Sequence, residues 1–383
     1  MRFSFTDEQE QLRQVVRRFL EDKSPSAEVR RLMATPEGHD RGVWTELSQG
    51  LGLCGIHIPE EYGGQGLGFV ELGVVLEEMG RALLCAPYFA SVVLAACAIS
   101  NAGTESKKRE LLPAIASGET IATLAFAEPS GRWDCSGIAL TAMPDGDAFR
   151  LDGVKSFVLD GHTADLIVVV GRAAGSVGDE GLSFFTVSAT ASGLERTALT
   201  TLDGTRKQAR LVFSHVRAEP LGEPGAGARA LARTLDQASV GLANEMVGGA
   251  QKALEMAVDY AKVRMQFGRP IGSFQAIKHA CANLYVEIEA AESLARRAMA
   301  CLAAGSPESK AAAALALASA TEALDHASAA NVQIHGGIGF TWEHPAHRYY
   351  RRSIASRVLF GSPRRYRMRA FECIEDGSNG GIS

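Results

Sequence analysis

Nothing in this chain approaches the ~20 consecutive apolar residues needed to cross a bilayer as a helix, so a helical membrane span is excluded. A cationic excess is missing too. With 39 Lys and Arg against 44 Asp and Glu, the formal net charge is −5, and nucleic acid, which is held by clustered cations that neutralise phosphates, is not an expected partner. The one local exception is the run RRYRMR, Arg364 to Arg369, which reads as a solvated or interface face rather than a phosphate patch. The seven cysteines include no CxxC pair and no histidine at ligand spacing; this argues against a disulfide framework and against a bound metal. The first residues, MRFSFTDEQEQLRQ, lack the charged head, apolar stretch and cleavage site of a secretory signal, so the protein is expected to remain in the cytoplasm.

What remains is a chain of 383 residues with 46% hydrophobic and 22% charged content, ordinary for a globular protein. Single cores stop growing near roughly 250–300 residues, so two or three domains are expected. Thr6 and Gln9, ahead of Leu12, Val15, Val16 and Phe19, form a capping box that opens an amphipathic helix. Helical patterns follow at Val43–Leu51, Phe69–Gly80, Ala90–Ser100 and Lys107–Ser117. From Ile121 the pattern changes to short β-prone runs such as ATLAFAE, LIVVVGR and LSFFTV, with Asp145-Gly146 and Asp152-Gly153 as turn formers. No helical pattern alternates with these runs, which disfavours a doubly wound sheet and favours an antiparallel barrel or sandwich. After Leu221–Ala228, alanine- and leucine-rich helices are predicted at Ala230–Gln266, Phe274–Ala304 and Ser309–Ile334. The expected fold is therefore α+β in three domains: a helical domain over 1–120, a central antiparallel β-barrel or sandwich over 121–228, and a four-helix-type bundle over 229–383.

Two glycine-bearing segments stand out. Arg264–Gln275, RMQFGRPIGSFQ, ends one helix, breaks at Gly268 and Pro270 and restarts a helix, bringing a cation and amide donors to one turn. Alone, Arg264 could equally pair with a carboxylate and Pro270 simply stop a helix. Gln333–Glu343, QIHGGIGFTWE, puts Gly336, Gly337 and Gly339 directly after a helix, where backbone without Cβ admits a ligand or another chain. The pair, RxQFGxPIxxFQ and about sixty residues later QxxGGxGFTxE, resembles the signature of the acyl-CoA dehydrogenase family. PEEYGGQG (Pro59–Gly66) and AFAEPSGRWD (Ala125–Asp134) extend the resemblance over the whole chain.

That resemblance implies FAD as cofactor, an acyl-CoA thioester as substrate, an electron-transfer flavoprotein as acceptor and an oligomer of homologous subunits, since family members complete the adenosine diphosphate half of the site with a neighbouring subunit. By matching positions, Arg264, Gln266, Phe267 and Gln275 would contact the diphosphate and adenosine, joined by Gln333, Gly336 and Gly337. Around the flavin ring the family's MWITNG is here SFVLDG, so Phe157 replaces a tryptophan and Leu159 a threonine, while Ala127 replaces the threonine of the family's TEP.

Dehydrogenation of a thioester needs a desolvated carboxylate to remove the α-proton. At the family's usual glutamate this chain has Phe360, and at the alternative position on the first bundle helix it has Ala238. Glu245 lies seven residues beyond Ala238 on the same helical face but roughly 10 Å along the axis; it is the remaining candidate base, with a buried structural hydrogen bond the favoured alternative. The replacements resemble a bacterial branch acting on bulky CoA thioesters of the steroid side-chain type, in which tetramers of two unlike subunits occur and one subunit can lack the base. The expected activity is that of such a dehydrogenase or one of its subunits. A structural partner without its own base and a self-sufficient homomer using Glu245 are the alternatives.

Overall fold

The computed structural model describes residues 5–379. The helix α1, Asp7–Lys23, begins with the expected capping box: the Thr6 side chain accepts from the Gln9 amide, and the Gln9 side chain accepts from the Thr6 amide. Then come α2 (Ser26–Leu32), α3 (Arg41–Thr45) running into a π-helical turn, α4 (Phe69–Ala82), a π-helical stretch Phe89–Ala95 continuing as α5 (Ala96–Ala102), and α6 (Glu105–Ala116). Seven strands follow: β1 (Ala122–Ala125), β2 (Thr141–Asp145), β3 (Ala148–Leu159), β4 (Leu166–Ala173), β5 (Leu182–Ser188), β6 (Leu194–Ala198) and β7 (Gln208–Pro220). The carboxyl-terminal part holds α7 (Gly227–Val263), a two-residue hairpin β8–β9 (Met265–Gln266 and Arg269–Pro270), α8 (Gln275–Ala303), α9 (Ser309–His335), α10 (Ala346–Arg357) and α11 (Pro363–Asn379). The helix, sheet, helix order is the one expected.

The chain divides into two compact units that interleave along the sequence. The helical unit takes the chain up to Arg30, Phe69–Leu84 and everything from Ser239; the sheet unit takes Arg31–Gly68 and Cys85–Ala238. In the sheet unit, strand pairing runs β4-β2-β3-β7-β5 and returns from β5 to β4, so the ladder closes on itself as a barrel, with β1 added to β4 and β6 to β7. Most pairings are antiparallel, whereas β1 and β2 both pair parallel to β4. Leu140, Leu151, Ile167, Val169, Phe185, Leu211 and Phe213 fill the interior. Asp145-Gly146 makes the β2–β3 turn, with Gly146 at φ +67°. Asp152-Gly153, expected as a turn, instead forms a bulge inside β3: the register shifts there, and the Asp152 carboxylate accepts from the His215 amide at 2.8 Å.

In the helical unit, α4 crosses α7 at contact distance because glycine stands on both. A Cβ on Gly248 would collide with the Glu77 carbonyl, and one on Gly80 with that of Glu245. The buried Arg13 on α1 reaches Glu77 at 2.6 Å and 3.3 Å, tying α1 to α4.

Candidate functional site

The two glycine-bearing segments converge within the helical unit. The β8–β9 hairpin pairs Gln266 with Arg269 and turns through Phe267 and Gly268, at φ +53° and +75°. The Arg264 carbonyl accepts from the Ile271 amide at 2.8 Å, closing the loop at its base. Arg269 lies 4.1 Å over the Phe274 ring and Phe267 meets the same ring edge-on at 6.1 Å. From the other side, α9 ends at His335, whose ring stacks on Tyr260 of α7 at 4.3 Å and touches His344 at 4.4 Å. Ala257, Ala261 and Ile334 form a small buried core with Ile271, Ile277 and Cys281 around it. This core sets the hairpin beside the turn Gly336–Phe340.

Arg264, Gln266, Gln275 and Gln333 are all exposed, and Phe267 is 90% exposed. A Cβ on Gly336 or Gly337 would meet nothing within 4 Å, so these glycines are not required by packing. A guanidinium, amide side chains and open glycine backbone at one corner match the needs of a diphosphate. The residues present therefore fit the diphosphate half of a dinucleotide such as FAD.

The sheet unit presents a different chemistry. Ala127 and Leu159 are buried, and Phe157 sits at φ +58° with 39% of its surface exposed. The Ala127 carbonyl accepts from the Ser156 amide at 2.9 Å and the Leu159 carbonyl from the Thr123 hydroxyl at 2.6 Å. No hydroxyl stands at positions 127, 157 or 159; the side chains there supply packing alone. Trp133 packs on both Phe126 (5.6 Å) and Phe157 (6.3 Å). Beneath them lies a buried ion pair that sequence reasoning does not single out, Lys155 Nζ to Glu128 Oε1 at 2.7 Å. Its only sequence signal is a lysine inside a strand otherwise dominated by barrel residues.

Phe360 is buried in the turn between α10 and α11 at φ +64°, followed by Gly361 at +135°. Ala238 is fully buried on α7, one residue beyond Gln237, whose side-chain oxygen accepts from Asn101 at 2.7 Å. Glu245 is held by Arg352 Nη1 at 2.5 Å, both partners being buried. That contact favours the structural alternative for Glu245 over a catalytic one: a carboxylate bound to a buried guanidinium has its charge compensated, unlike a poised base. A separate cavity of about 280 Å³ in the helical unit, lined by Arg17, Leu20, Glu78, Met256 and Tyr349 among others, involves none of these positions.

Sequence models of three domains match in succession: the N-terminal domain of acyl-CoA dehydrogenase over residues 6–119, its middle domain over 123–216 and its C-terminal domain over 225–369. The chain belongs to the acyl-CoA dehydrogenase family. It is 34% identical over 368 residues to acyl-CoA dehydrogenase IpdE2 of Mycobacterium tuberculosis, covering 94% of each chain. Among solved structures it is similar to a variant of the Tcur3481-Tcur3483 steroid ACAD, with a TM-score of 0.86 and 32% identity over 97% of this chain and 99% of that one. A chain from the electron transferring flavoprotein structure of Acidaminococcus fermentans matches with a TM-score of 0.91 and 32% identity, covering 98% and 99%. The protein is thus an acyl-CoA dehydrogenase with the family's three-part fold, an oxidoreductase of acyl-CoA thioesters, in a family that depends on FAD. Within the described residues no helix is long and apolar enough to cross a membrane.

Proposed function

We propose that this chain is the FAD-carrying subunit of a cytoplasmic, heteromeric acyl-CoA dehydrogenase that introduces an α,β double bond into a bulky CoA thioester of the steroid side-chain type. An unlike homologous subunit completes the tetramer and supplies the base. The observation that carries this reading is the contrast between an open diphosphate corner and occupied or empty base positions: Glu245 bound to Arg352, phenylalanine at 360 and alanine at 238. The similarity to a steroid enzyme structure carrying two gene names supports the heteromer and the substrate class. The domain limits 1–120, 121–228 and 229–383 form part of the same reading.

Arg264, Gln266, Gln275 and Gln333 bind and orient the diphosphate and adenosine, with Gly336 and Gly337 offering backbone and Phe267 an aromatic face. When bound, FAD supplies the acceptor for the hydride from the β-carbon; an electron-transfer flavoprotein takes the electrons onward. Ala127, Phe157 and Leu159 pack against the ring and exclude water. The Phe360 amide polarises the thioester carbonyl, a role independent of the side chain.

The test is CoA-thioester-dependent dye reduction by the chain alone and after co-expression with a homologous subunit. A yellow protein inactive alone and active in the complex is the expected result, with Glu245→Gln leaving the rate of the complex unchanged. Activity of the chain alone, abolished by Glu245→Gln, would overturn the reading in favour of a self-sufficient homomer.

A further inference from the structure

Charged groups are expensive to bury, each ion carrying a penalty of several kcal/mol even when paired. The sheet unit buries two cations that bond one stretch of chain, one of them, Arg172, also donating to the Gly178 carbonyl at 2.9 Å. Lys155 Nζ, fully enclosed, donates to the Phe126 carbonyl at 3.0 Å and to Glu128 Oε1 at 2.7 Å. The same Glu128 oxygen accepts from the amides of Ala139 at 2.9 Å and Leu140 at 2.8 Å. Arg172, buried on β4, donates to the carbonyls of Ile138 at 2.5 Å and Cys135 at 2.8 Å. Apart from the bond to Gly178, every one of these ends on the connection Phe126–Leu140. Its two ends, Phe126 to Glu128 and Cys135 to Leu140, are pinned by groups anchored in β3 and β4, and Trp133 lies on the span between them.

Ala127 and Trp133 lie on that connection, and Phe157 is two residues from Lys155. Barrel packing alone would be served by apolar side chains at 128, 155 and 172; the clamp fixes where the connection sits. We propose that Lys155 is a positioning residue for the flavin: through Glu128, and beside Arg172, it holds the wall of Ala127, Trp133 and Phe157 against which the cofactor ring packs. The inference rests on the functional reading above, and Lys155 itself touches neither cofactor nor substrate.

Two measurements test it: FAD affinity of the apoprotein by titration, and amide hydrogen exchange over 126–140 without flavin. Lys155→Met is expected to speed exchange at Ala139 and Leu140, weaken FAD binding by about tenfold and move the visible absorption band of whatever flavin remains bound. Lys155→Arg is expected to recover most of the affinity. Faster exchange with affinity and spectrum unchanged overturns the positioning role, since the clamp is then only structural; unchanged exchange overturns the clamp. Where Lys155→Met does not fold, Glu128→Gln, which keeps the shape but removes the charge, is read on the same scales with the same outcomes deciding. A wild-type chain that takes up no FAD overturns the functional reading and this inference together, and shows itself before any substitution is made.

Discussion

Replacing Arg352 by methionine leaves Glu245 facing α10 without the guanidinium that now sits 2.5 Å away in a buried setting. Removing one member of a buried ion pair costs about 3–5 kcal/mol, because the remaining buried charge loses that compensation. At about 2–4 °C per kcal/mol for a unit of this size, melting should fall by roughly 6–20 °C. Glu245→Met, which removes the other half of the pair, should destabilise similarly. The double variant removes both charges and fills the site with apolar side chains, so it should return to within about 1–2 kcal/mol of the wild type. Calorimetric melting of the four proteins gives the coupling energy directly, and dye reduction by the co-expressed complex should survive in the double variant. A double variant as unstable as the sum of the singles would refute the claim that Glu245 and Arg352 matter to one another as a pair. A stable double variant that has lost turnover would refute the assignment of Glu245 to structure rather than chemistry.

Three further outcomes follow from the geometry. Gly248→Val pushes a side chain into the Glu77 carbonyl of α4 and should destabilise by about 3 kcal/mol or more, whereas Gly337→Ala enters open space and should leave the melting temperature within about 2 °C while weakening FAD binding; urea and thermal melts read the first half, FAD titration the second. Arg264→Ala should raise the FAD dissociation constant about 10- to 100-fold, the range for a lost hydrogen bond to a charged group, with the fold intact because Arg264 is exposed. Burial lowers the Lys155 ammonium to about 8 from its ordinary 10.5, against the opposing pull of Glu128. Between those values the unfolded chain binds the proton that the folded chain has lost, so this group makes stability rise with pH from about 8 to 10.5, by on the order of 3 kcal/mol. Subtracting the stability profile of Lys155→Met isolates that rise, and a flat difference would contradict it.

Much of the fold was legible because local signals agreed with tertiary ones. The capping box at Thr6 and Gln9 lies on an exposed helix start, where nothing competes with it. The alanine-rich run of α9 is buried along its length, as its composition implies. The Asp152-Gly153 bulge was not legible, since a dipeptide cannot say whether its strand continues; the Asp152 bonds to His215, sixty-three residues away, decide that. The two glycine-bearing segments could be named from spacing, but their meeting through Tyr260, His335 and His344 depends on how α7 and α9 pack. For Glu245, periodicity gives the face and not the occupant: Arg352 is 107 residues downstream, and nothing near either residue announces the pair. Lys155 goes unmarked for the same reason: its partners, Phe126 and Glu128, lie twenty-seven or more residues upstream, and nothing local pairs them with it.

The interleaving of the two units also dictates a schedule for synthesis. Every segment of the sheet unit has been made once Ala238 is reached, so it can be complete before α8 to α11 emerge. The helical unit cannot: α1 and α4 precede most of the sheet unit in sequence, yet they belong with α8 to α11 and most of α7, which follow it. Until then α1 and α4 have each other, through Arg13 and Glu77, while Gly73 and Gly80 on α4 lack the later helices that close over them. The apolar surface of α4 that α7 and α8 cover in the finished fold is thus made long before its cover, the kind of exposure that favours misassembly in chains of this size.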